Sequence, residues 1–373
     1  MRKGQTITVC GYGLENKVHG MKPKAVIRLL LCLVVMLATA CNDADTGLPK
    51  STGRPSEVLL VGDVDSIVAK ALTADIVALP QPEPMFDVKT NGKANIKENG
   101  KTNVKTNGKT NGKRSNGSDA QVALNAVSRL ERNIVVVNID PTLFTRTAVR
   151  YERNVFAAPQ IIVYVNTPSA QALKSDIGRC HIDRLLLQNE LTAHAERLKR
   201  HHEKGVEDDI KRMFRCSMTI PKGMRVNVRG QQFVWISDNN PTKMSNICLY
   251  TSENRDSVMR INLKGETDSM FMTTVGGSVV TTTGTSRDNM STTLRRGLWQ
   301  MQGDAMGGPF MSRTIHMPHG KTIVAEAFVF APGEQKRDIM RRLEASVQTL
   351  RPLPKTTKQQ QKKTSSFLWK TER

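Results

Sequence analysis

Aromatic side chains are scarce in this chain of 373 residues, where 10 Phe, 4 Tyr and 3 Trp amount to 5% of the sequence. Proteins that bind single-stranded nucleic acids stack the bases on aromatic side chains along a basic groove. The formal net charge is +21, but no basic stretch has aromatic residues interleaved with it. The composition therefore argues against nucleic acid as a partner.

The excess positive charge is concentrated in three segments rather than spread over the chain. Residues 1–28, 89–118 and 355–373 carry net charges of +5, +7 and +5, which leaves +4 for all other residues. A nearly balanced remainder is typical of an ordinary folded domain and does not form the basic face that nucleic-acid binding needs.

Motifs that identify common catalytic and metal sites are also missing. The sequence contains no CxxC, no HExxH and no GxSxG, which are the usual signatures of zinc, metalloprotease and serine-hydrolase sites. His316 and His319 lie three positions apart across a proline turn, but a third ligand is not apparent, so a solvated turn is the favoured interpretation. We predict no metal and no cofactor, and we assign no catalytic residue.

Cysteine is limited to six residues, three of which fall within residues 1–41. The other three are Cys180, Cys216 and Cys248. An oxidising compartment would permit one disulfide and one remaining thiol. Three buried free cysteines are the favoured alternative.

One apolar run, residues 25–40, is 16 residues long, whereas a membrane-spanning helix needs about 20. The run follows a basic stretch and ends in Leu-Ala-Thr-Ala immediately before Cys41. This layout is typical of a cleaved bacterial lipoprotein signal peptide. We predict a signal peptide over 21–40 and lipid attachment, with palmitate as one acyl chain, at Cys41. An uncleaved anchor is the less favoured interpretation.

The remaining segments differ clearly in composition. Met21 begins a signal of ordinary length, so residues 1–20 are predicted to be an extension or a mis-assigned start. Residues 41–56 are predicted to be a tether, 57–354 one domain, and 355–373 a flexible basic tail. Lysine recurs at every fourth position from Lys89 to Lys113, and this low-complexity insert, 89–118, is predicted to be disordered. A basic patch for anionic polysaccharide or lipid headgroups is the alternative.

Hydrophobic patterns predict an α+β fold with mixed or antiparallel sheets and flanking helices. Apolar runs at 57–63, 132–139 and 160–166 indicate buried strands, and Asp63 or Asp65 is expected to cap the helix that follows the first. Helices are predicted at 168–178, 181–215 and 333–349, with many strands between the last two. Both halves end in the same order of strands, proline turn and helix, which suggests two similar halves sharing one core.

Four residues are candidates for a ligand or partner surface. Glu83 lies between two prolines and is a candidate fixed acceptor. Gly307 and Gly308 permit close backbone approach, and Trp299 is a candidate apolar wall beside them. The alternative, which we favour, is a tight turn with the aromatic residues in the core.

Six short blocks follow one another along the chain, at 79–86, 132–134, 158–160, 233–235, 296–299 and 306–310. Their residues, among them Arg296-Gly297-Leu298-Trp299 and Met306-Gly307-Gly308-Pro309-Phe310, resemble a family of bacterial envelope lipoproteins, the domain of unknown function numbered 4837. The resemblance covers roughly residues 50–352. It implies a lipid-anchored envelope location, and it implies no activity and no catalytic residues.

These observations favour a non-enzymatic binding or assembly module in the bacterial cell envelope. It would contact the membrane through its lipid and would take an envelope protein or a glycan as partner. The alternative is an envelope hydrolase or carbohydrate-active enzyme whose site is assembled from distant residues. A buried acid or histidine cluster in a cleft near Trp299 would favour the enzyme, and a shallow or exposed apolar groove would favour the binding module. A third hypothesis, a ligand-binding sensor, requires a deep apolar pocket.

Overall fold

The computed structural model describes residues 47–90, 128–285, 291–317 and 321–353. The predicted signal peptide, Cys41, residues 91–118 of the predicted insert and the predicted tail lie outside these ranges. The described residues from Pro49 onward belong to one compact unit. Among them, no helix has the length and apolar character needed to cross a membrane.

The described residues form fifteen strands and six α-helices, with short 3-10 helices at Ser128–Leu130 and Ile177–Arg179. The strands are β1 (Glu57–Val61), β2 (Asp87–Thr90), β3 (Asn133–Ile139), β4 (Ala148–Arg153), β5 (Ile161–Thr167), β6 (Cys216–Ser217), β7 (Arg225–Arg229), β8 (Phe233–Ser237), β9 (Met244–Tyr250), β10 (Met272–Thr274), β11 (Val280–Thr285), β12 (Ser291–Met301), β13 (Gly307–His316), β14 (Thr322–Phe330) and β15 (Arg351–Pro352). The helices are α1 (Ile67–Leu72), α2 (Ala170–Asp176), α3 (Ile182–Arg200), α4 (Lys204–Phe214), α5 (Arg255–Asn262) and α6 (Arg337–Val347).

The first sheet is mixed and has the strand order β2-β1-β3-β5-β4. Its strands are parallel except β4, which pairs antiparallel with β5 at one edge. Apolar side chains of α1, α2 and α3 pack into one core cluster with this sheet. Parallel strands covered on both faces have continuous apolar sequences, which is why β1, β3 and β5 could be predicted.

The second sheet is antiparallel, with the order β10-β12-β13-β14-β9-β8-β7, and β11 pairs with part of β12. Helices α4 and α6 contribute Ile210, Phe214, Leu343 and Val347 to the apolar core on this sheet. A second apolar cluster contains Met259 of α5. Strands β6 and β15 form a separate pair.

Helices α3 and α6 pack against each other, and α6 also packs against the second sheet. Leu191 and Leu198 of α3 meet Ala345 of α6 in a small apolar cluster. The N-terminal end of α6 is bonded to the first-sheet region, where Ser56 Oγ donates to Asp338 at 2.6 Å. The pair α3 and α6 therefore connects the two sheets.

The α+β class with mixed and antiparallel sheets is confirmed, but the prediction of two similar halves is wrong. In the first sheet β5 lies between β3 and β4, whereas β12, β13 and β14 are adjacent in chain order. The strands of the first sheet are mainly parallel and those of the second antiparallel. The same order of elements along a chain does not fix which strands pair, and here the pairings differ.

Two predicted boundaries also change. The helix predicted over 181–215 is two helices, because α3 ends at Arg200 and α4 begins at Lys204. Gly205 lies inside α4, as its second residue, and is not the break. Strand β2 extends to Thr90, and Lys89 pairs with the Glu57 carboxylate at 2.7 Å. The first two residues of the predicted insert therefore belong to the sheet.

Candidate anion-binding site

Glu83, one of the four predicted surface candidates, is buried with 2% exposure. Its Oε1 accepts the backbone N–H of Lys336 at 2.8 Å, and its Oε2 accepts that of Arg337 at 2.9 Å. A carboxylate at a helix N-terminus satisfies backbone donors that have no partner within the helix. Glu83 therefore holds the start of α6 and does not face a partner.

Trp299, Gly307 and Gly308 are brought together by the structure, at the paired ends of β12 and β13. The indole N–H of Trp299 donates to the carbonyl oxygen of Val329 at 3.2 Å. A Cβ on Gly308 would lie 2.0 Å from that same oxygen, and one on Gly307 would lie 2.9 Å from the Trp299 carbonyl oxygen. The backbones that approach Gly307 and Gly308 closely are thus those of the neighbouring strands β12 and β14. Glu83 does not belong to this group of residues.

His316 is exposed, and its Nδ1 lies 3.3 Å from Thr322 Oγ1 and 3.8 Å from Glu253 Oε1. His319 lies outside the described residues. Cys180, Cys216 and Cys248 are free cysteines, of which Cys216 and Cys248 are buried. Burial raises the pKa of the Cys216 thiol to about 12, so that group stays protonated and unreactive.

An open cavity of about 640 Å³ lies between α3 and α6 and is flanked by two short loop segments. The loop segments contribute Lys50, Pro55, Pro221 and Lys222. From α3 and the residue after it come His194, Arg197, Leu198, Arg200 and His201, and from α6 come Asp338, Ile339 and Arg342. Pockets of this size commonly bind small organic molecules.

Positive charge dominates the lining. Five side chains are cationic, and a single acid, Asp338, opposes them. That acid already accepts hydrogen bonds from Ser56 Oγ at 2.6 Å and from Arg337 Nε at 3.1 Å. The cavity is therefore an electropositive environment in which an anion would be stabilised.

The position of the lining residues follows from helix geometry. His194, Arg197, Leu198 and His201 have the spacing i, i+3, i+4 and i+7, which places them on one face of α3. Arg197 is held by its own helix, because its Nε donates to the Ala193 carbonyl at 3.2 Å. On α6, Arg342 Nη2 donates to Ser245 Oγ at 3.1 Å.

Three buried side-chain nitrogens lack a hydrogen-bond partner within the described ranges, and all three belong to this region. They are His194 Nε2, Arg197 Nη2 and Arg132 Nε. His194 and Arg197 line the cavity, and His194 is only 7% exposed. Leaving a buried polar group unpaired costs about 1–3 kcal/mol, so these three groups weaken the fold locally. Because the three atoms have almost no accessible surface, a ligand in the cavity cannot reach them.

The electrostatics of these groups are coupled. Burial lowers the pKa of His194 to about 3, and the charges of Arg197 and Arg132 lower it further in the same direction. The imidazole is therefore neutral near neutral pH. Burial and the Arg132 charge also lower the pKa of Arg197.

Behind the cavity, a buried polar network fixes Arg132. Its Nη1 lies 3.2 Å from Glu190 Oε2, and both residues are almost fully buried. Glu190 Oε1 also accepts from Asn133 Nδ2 at 2.6 Å, and Asn189 Nδ2 donates to Asn133 Oδ1 at 3.0 Å. Arg132 and Asn133 thus share the Glu190 carboxylate, and Arg132 Nε has no hydrogen-bond partner among the described residues.

None of the cavity residues was predicted from the sequence. The usable signal was the helical stripe of two histidines, an arginine and a leucine on α3. It was not recognised because Lys50, Pro221 and Asp338 come from distant parts of the chain, and their proximity to α3 depends on the tertiary fold.

Comparison with known families supports the resemblance over part of the chain. Residues 203–349 match the family described as Domain of unknown function (DUF4837). Residues 120–199 match a second family, Domain of unknown function (DUF8532). The resemblance to the first family is therefore confirmed over 203–349, a shorter range than the predicted 50–352. The cavity is built from both matched segments, since α6 lies in the first and most of α3 in the second.

Comparison with individual proteins finds only distant similarities among the structures described below. A search of curated proteins found no match. A crystal structure from Bacteroides thetaiotaomicron VPI-5482 is 13% identical with a TM-score of 0.17, and the match covers 38% of this chain and 47% of that one. The human StarD13 (DLC2) lipid transfer and protein localization domain is 12% identical with a TM-score of 0.17, over 38% of this chain and 95% of that one. The chain thus spans about half the length of the first structure.

Proposed function

We propose that this protein is a non-enzymatic binding module that holds a small anionic ligand in the cavity between α3 and α6. The proposal is carried by the lining of this cavity, where five cationic side chains face a single carboxylate that already accepts two hydrogen bonds. An anion that accepts hydrogen bonds from these side chains would neutralise the excess positive charge.

The surroundings of Trp299 do not favour the enzyme alternative. The buried acid in that part of the protein, Glu326, lies 2.7 Å from Arg255 Nη2 and accepts a hydrogen bond from Tyr250 Oη at 2.9 Å. Its negative charge is thus balanced within the apolar core by Arg255 and Tyr250.

Ligand binding is testable by the thermal stability of the purified protein. A ligand that binds the folded state raises Tm in proportion to the logarithm of its concentration. We expect inorganic phosphate, sulfate or citrate, compared with chloride at equal ionic strength, to raise Tm of the wild type. Arg197→Gln should lose the increase, because it removes a cation from the cavity lining.

Arg184→Gln is the matched control, since Arg184 is exposed on the same helix and does not line the cavity. It should keep the full increase in Tm. The proposal is wrong if none of the three anions raises Tm above the chloride reference, or if Arg197→Gln responds as the wild type does.

We further propose that the module is anchored to the bacterial cell envelope by lipid on Cys41, with an envelope protein or glycan as a partner. The support is the short apolar run that ends at this cysteine and the resemblance to envelope lipoproteins. In cells fed labelled palmitate, the wild type should incorporate label and Cys41→Ser should not. Equal labelling of both proteins would refute attachment at this residue.

A further inference from the structure

Four of the five cations in the cavity lining are exposed on the protein surface, and together they form the cationic face. They are Lys50, Arg200, Lys222 and Arg342, whereas Arg197 is partly buried. None of the four forms an ion pair with an acid in the part of the chain that the structure describes. Because they come from two loop segments, α3 and α6, their charges are spread over one side of the protein and are available to a surface that approaches it.

The rest of the lining adds little to the cationic face. The one acid of the lining, Asp338, already accepts hydrogen bonds from Ser56 and Arg337. The large apolar side chains of the lining are not exposed, because Leu198 is 5% exposed and Ile339 is partly buried. The cationic face is therefore suited to an extended negatively charged surface, which it would contact through charge rather than by inserting apolar side chains.

The position of Lys50 along the chain indicates which negatively charged surface this is. Lys50 follows Cys41 by nine positions, and nine fully extended residues span at most about 30 Å. If Cys41 carries the proposed lipid, its acyl chains hold it at a membrane surface, and Lys50 cannot lie farther than this from it. So short a link keeps the cationic face at a high effective concentration next to the headgroups of that membrane.

We infer that the cationic face docks on the membrane that holds the anchor and binds the headgroups of its anionic phospholipids. The inference rests on the proposed function, because it names the partner of the same cavity and depends on the lipid at Cys41. Basic residues near an anionic bilayer are attracted by its negative surface potential, and a basic patch is a second membrane signal beside an acyl chain. The cavity then opens toward the bilayer, and the domain has one preferred orientation on it.

Lysine labelling of the anchored protein on vesicles tests this orientation. The wild-type protein, extracted from the envelope in detergent, is reconstituted on vesicles of phosphatidylcholine with or without phosphatidylglycerol. Its lysines are acetylated with a limiting amount of a water-soluble reagent and quantified by mass spectrometry. We expect labelling of Lys50 and Lys222 to fall about fivefold or more on the anionic vesicles, since one basic residue near such a surface contributes about that factor to binding. Lys174 and Lys264, which are exposed and outside the lining, should be labelled equally on both.

Charge-reversal variants and salt show whether electrostatic attraction causes the protection. Arg200→Glu/Arg342→Glu keeps both lysines of the cationic face and should restore their labelling on anionic vesicles, with far-UV circular dichroism confirming that the variant is folded. The matched control is Arg184→Glu/Lys70→Glu, which makes the same change in net charge at exposed positions outside the lining and should keep the protection. Adding NaCl to about 1 M, where the Debye length is about 3 Å, should remove the protection of the wild type.

The outcomes separate this inference from the proposed function. Equal labelling of Lys50 and Lys222 on the two kinds of vesicle would overturn the docking, and so would an equal fall at Lys174 and Lys264. In both cases an increase in Tm with phosphate, sulfate or citrate would still support the binding of small anions.

The reverse result is also informative. If the two lysines are protected but none of the three anions raises Tm, the cationic face binds the bilayer and the proposal of a small soluble anion is wrong. A protein that co-floats with neither kind of vesicle has no anchor, which contradicts both the lipid at Cys41 and this inference.

Discussion

Gly308 shows how a single missing side chain permits the central strand pairing of the second sheet. It is buried in β13, opposite Trp299 of β12. A Cβ at this position would lie 2.0 Å from the Val329 carbonyl oxygen and 3.1 Å from the Trp299 indole nitrogen. Both neighbours belong to interior strands, so the backbone cannot move aside without disturbing the pairing of the sheet.

We predict that Gly308→Ala lowers the free energy of unfolding by about 3 kcal/mol, because the added methyl overpacks a rigid part of the core. Urea denaturation of the wild type and variant measures the change. Gly205→Ala is the control, since a Cβ added at Gly205 would meet no neighbouring atom within 4 Å. Within α4 that change should stabilise the protein by about 0.5–1 kcal/mol, and equal effects of the two substitutions would contradict the steric explanation.

His194 makes stability depend on pH. Its folded-state pKa of about 3 lies below the ordinary value of 6.5, chiefly because of burial. Between these two values the unfolded chain binds a proton that the folded chain does not, so stability is full above about pH 6.5 and declines as the pH falls through this window.

From about pH 7.5 to about pH 5.5, the His194 contribution should reduce the free energy of unfolding by about 1.4 kcal/mol. His194→Gln cannot titrate and should lose that much less than the wild type over the same interval. Urea denaturation at both pH values measures the difference, and other ionisable groups cancel between the two proteins. An identical pH dependence in the variant would show that His194 is not buried in its neutral form.

Some site residues can be recognised from sequence and others cannot. The difference lies in how far along the chain each residue is from the residues that it contacts. The block from Met306 to Phe310 is recognisable because two glycines before a proline predict close backbone approach. The role of Glu83 depends on Lys336 and Arg337, which are 253 and 254 positions away. Local sequence patterns contain no information about a contact of that range.

At the scale of elements, α5 is connected to β14 by a buried ion pair. Arg255 of α5 lies 2.7 Å from Glu326 of β14, and both side chains are almost completely buried. The Arg255 guanidinium also lies over the Phe310 ring at 4.1 Å. Tyr250 of β9 donates its hydroxyl to the same carboxylate, so one acid joins a helix and two strands.

We predict that Arg255→Met destabilises the protein by about 3–5 kcal/mol, because it leaves the buried Glu326 charge uncompensated. The double variant Arg255→Met/Glu326→Gln should recover part of the loss. Lys264→Met removes a cation from the exposed pair with Asp268 and should change stability by less than about 1 kcal/mol. Denaturant unfolding of the four proteins measures these effects, and a double variant no more stable than Arg255→Met would contradict this account.

The elements most clearly predicted from sequence were the buried strands, since β1, β3 and β5 have continuous apolar sequences. Helix α5 was missed because its eight residues are mostly polar or charged. Its start has a local signal, Asn254, whose side chain accepts the Ser257 N–H at 3.1 Å. The break between α3 and α4 was not predicted because it depends on a contact beyond the helices themselves. At the break, the Glu203 N–H donates to the Ile220 carbonyl at 3.0 Å.

At the scale of the molecule, α6 connects the two sheets by different kinds of contact. Its first turns make polar bonds with the first-sheet region, including Arg337 Nη2 to Asp87 Oδ2 at 2.7 Å and Arg341 Nη2 to the Met85 carbonyl at 2.6 Å. Further along, Leu343 and Val347 are buried in the core on the second sheet. Unfolding of either sheet would therefore expose groups that α6 buries.

We predict that the two sheets unfold together. Trp235 of β8 and Trp299 of β12 report on the second sheet, while α1, α2 and α3 contribute far-UV circular dichroism from the first. In a Trp369→Phe background, which removes the one other tryptophan, the fluorescence and circular dichroism midpoints in urea should coincide. Leu198→Ala, at the contact of α3 with α6, should shift both midpoints equally, with a loss of about 2–4 kcal/mol. Two separated midpoints would show independent unfolding.

The bonds of α6 to the first-sheet region also bear on when the chain can fold during its synthesis. They join residues separated by 250 to 285 positions, from Asp87–Arg337 to Ser56–Arg341. A nascent chain that has reached residue 330 has all the strands of the first sheet but lacks α6, whose N-terminus Glu83 caps and whose Arg337 pairs with Asp87. Contacts of such long range form late and slowly, so the ribosome has made nearly the whole polypeptide before the fold can close. Until then Glu83 and Asp87 lack the partners that α6 supplies, so a chaperone that holds the chain competes with no contact of this helix.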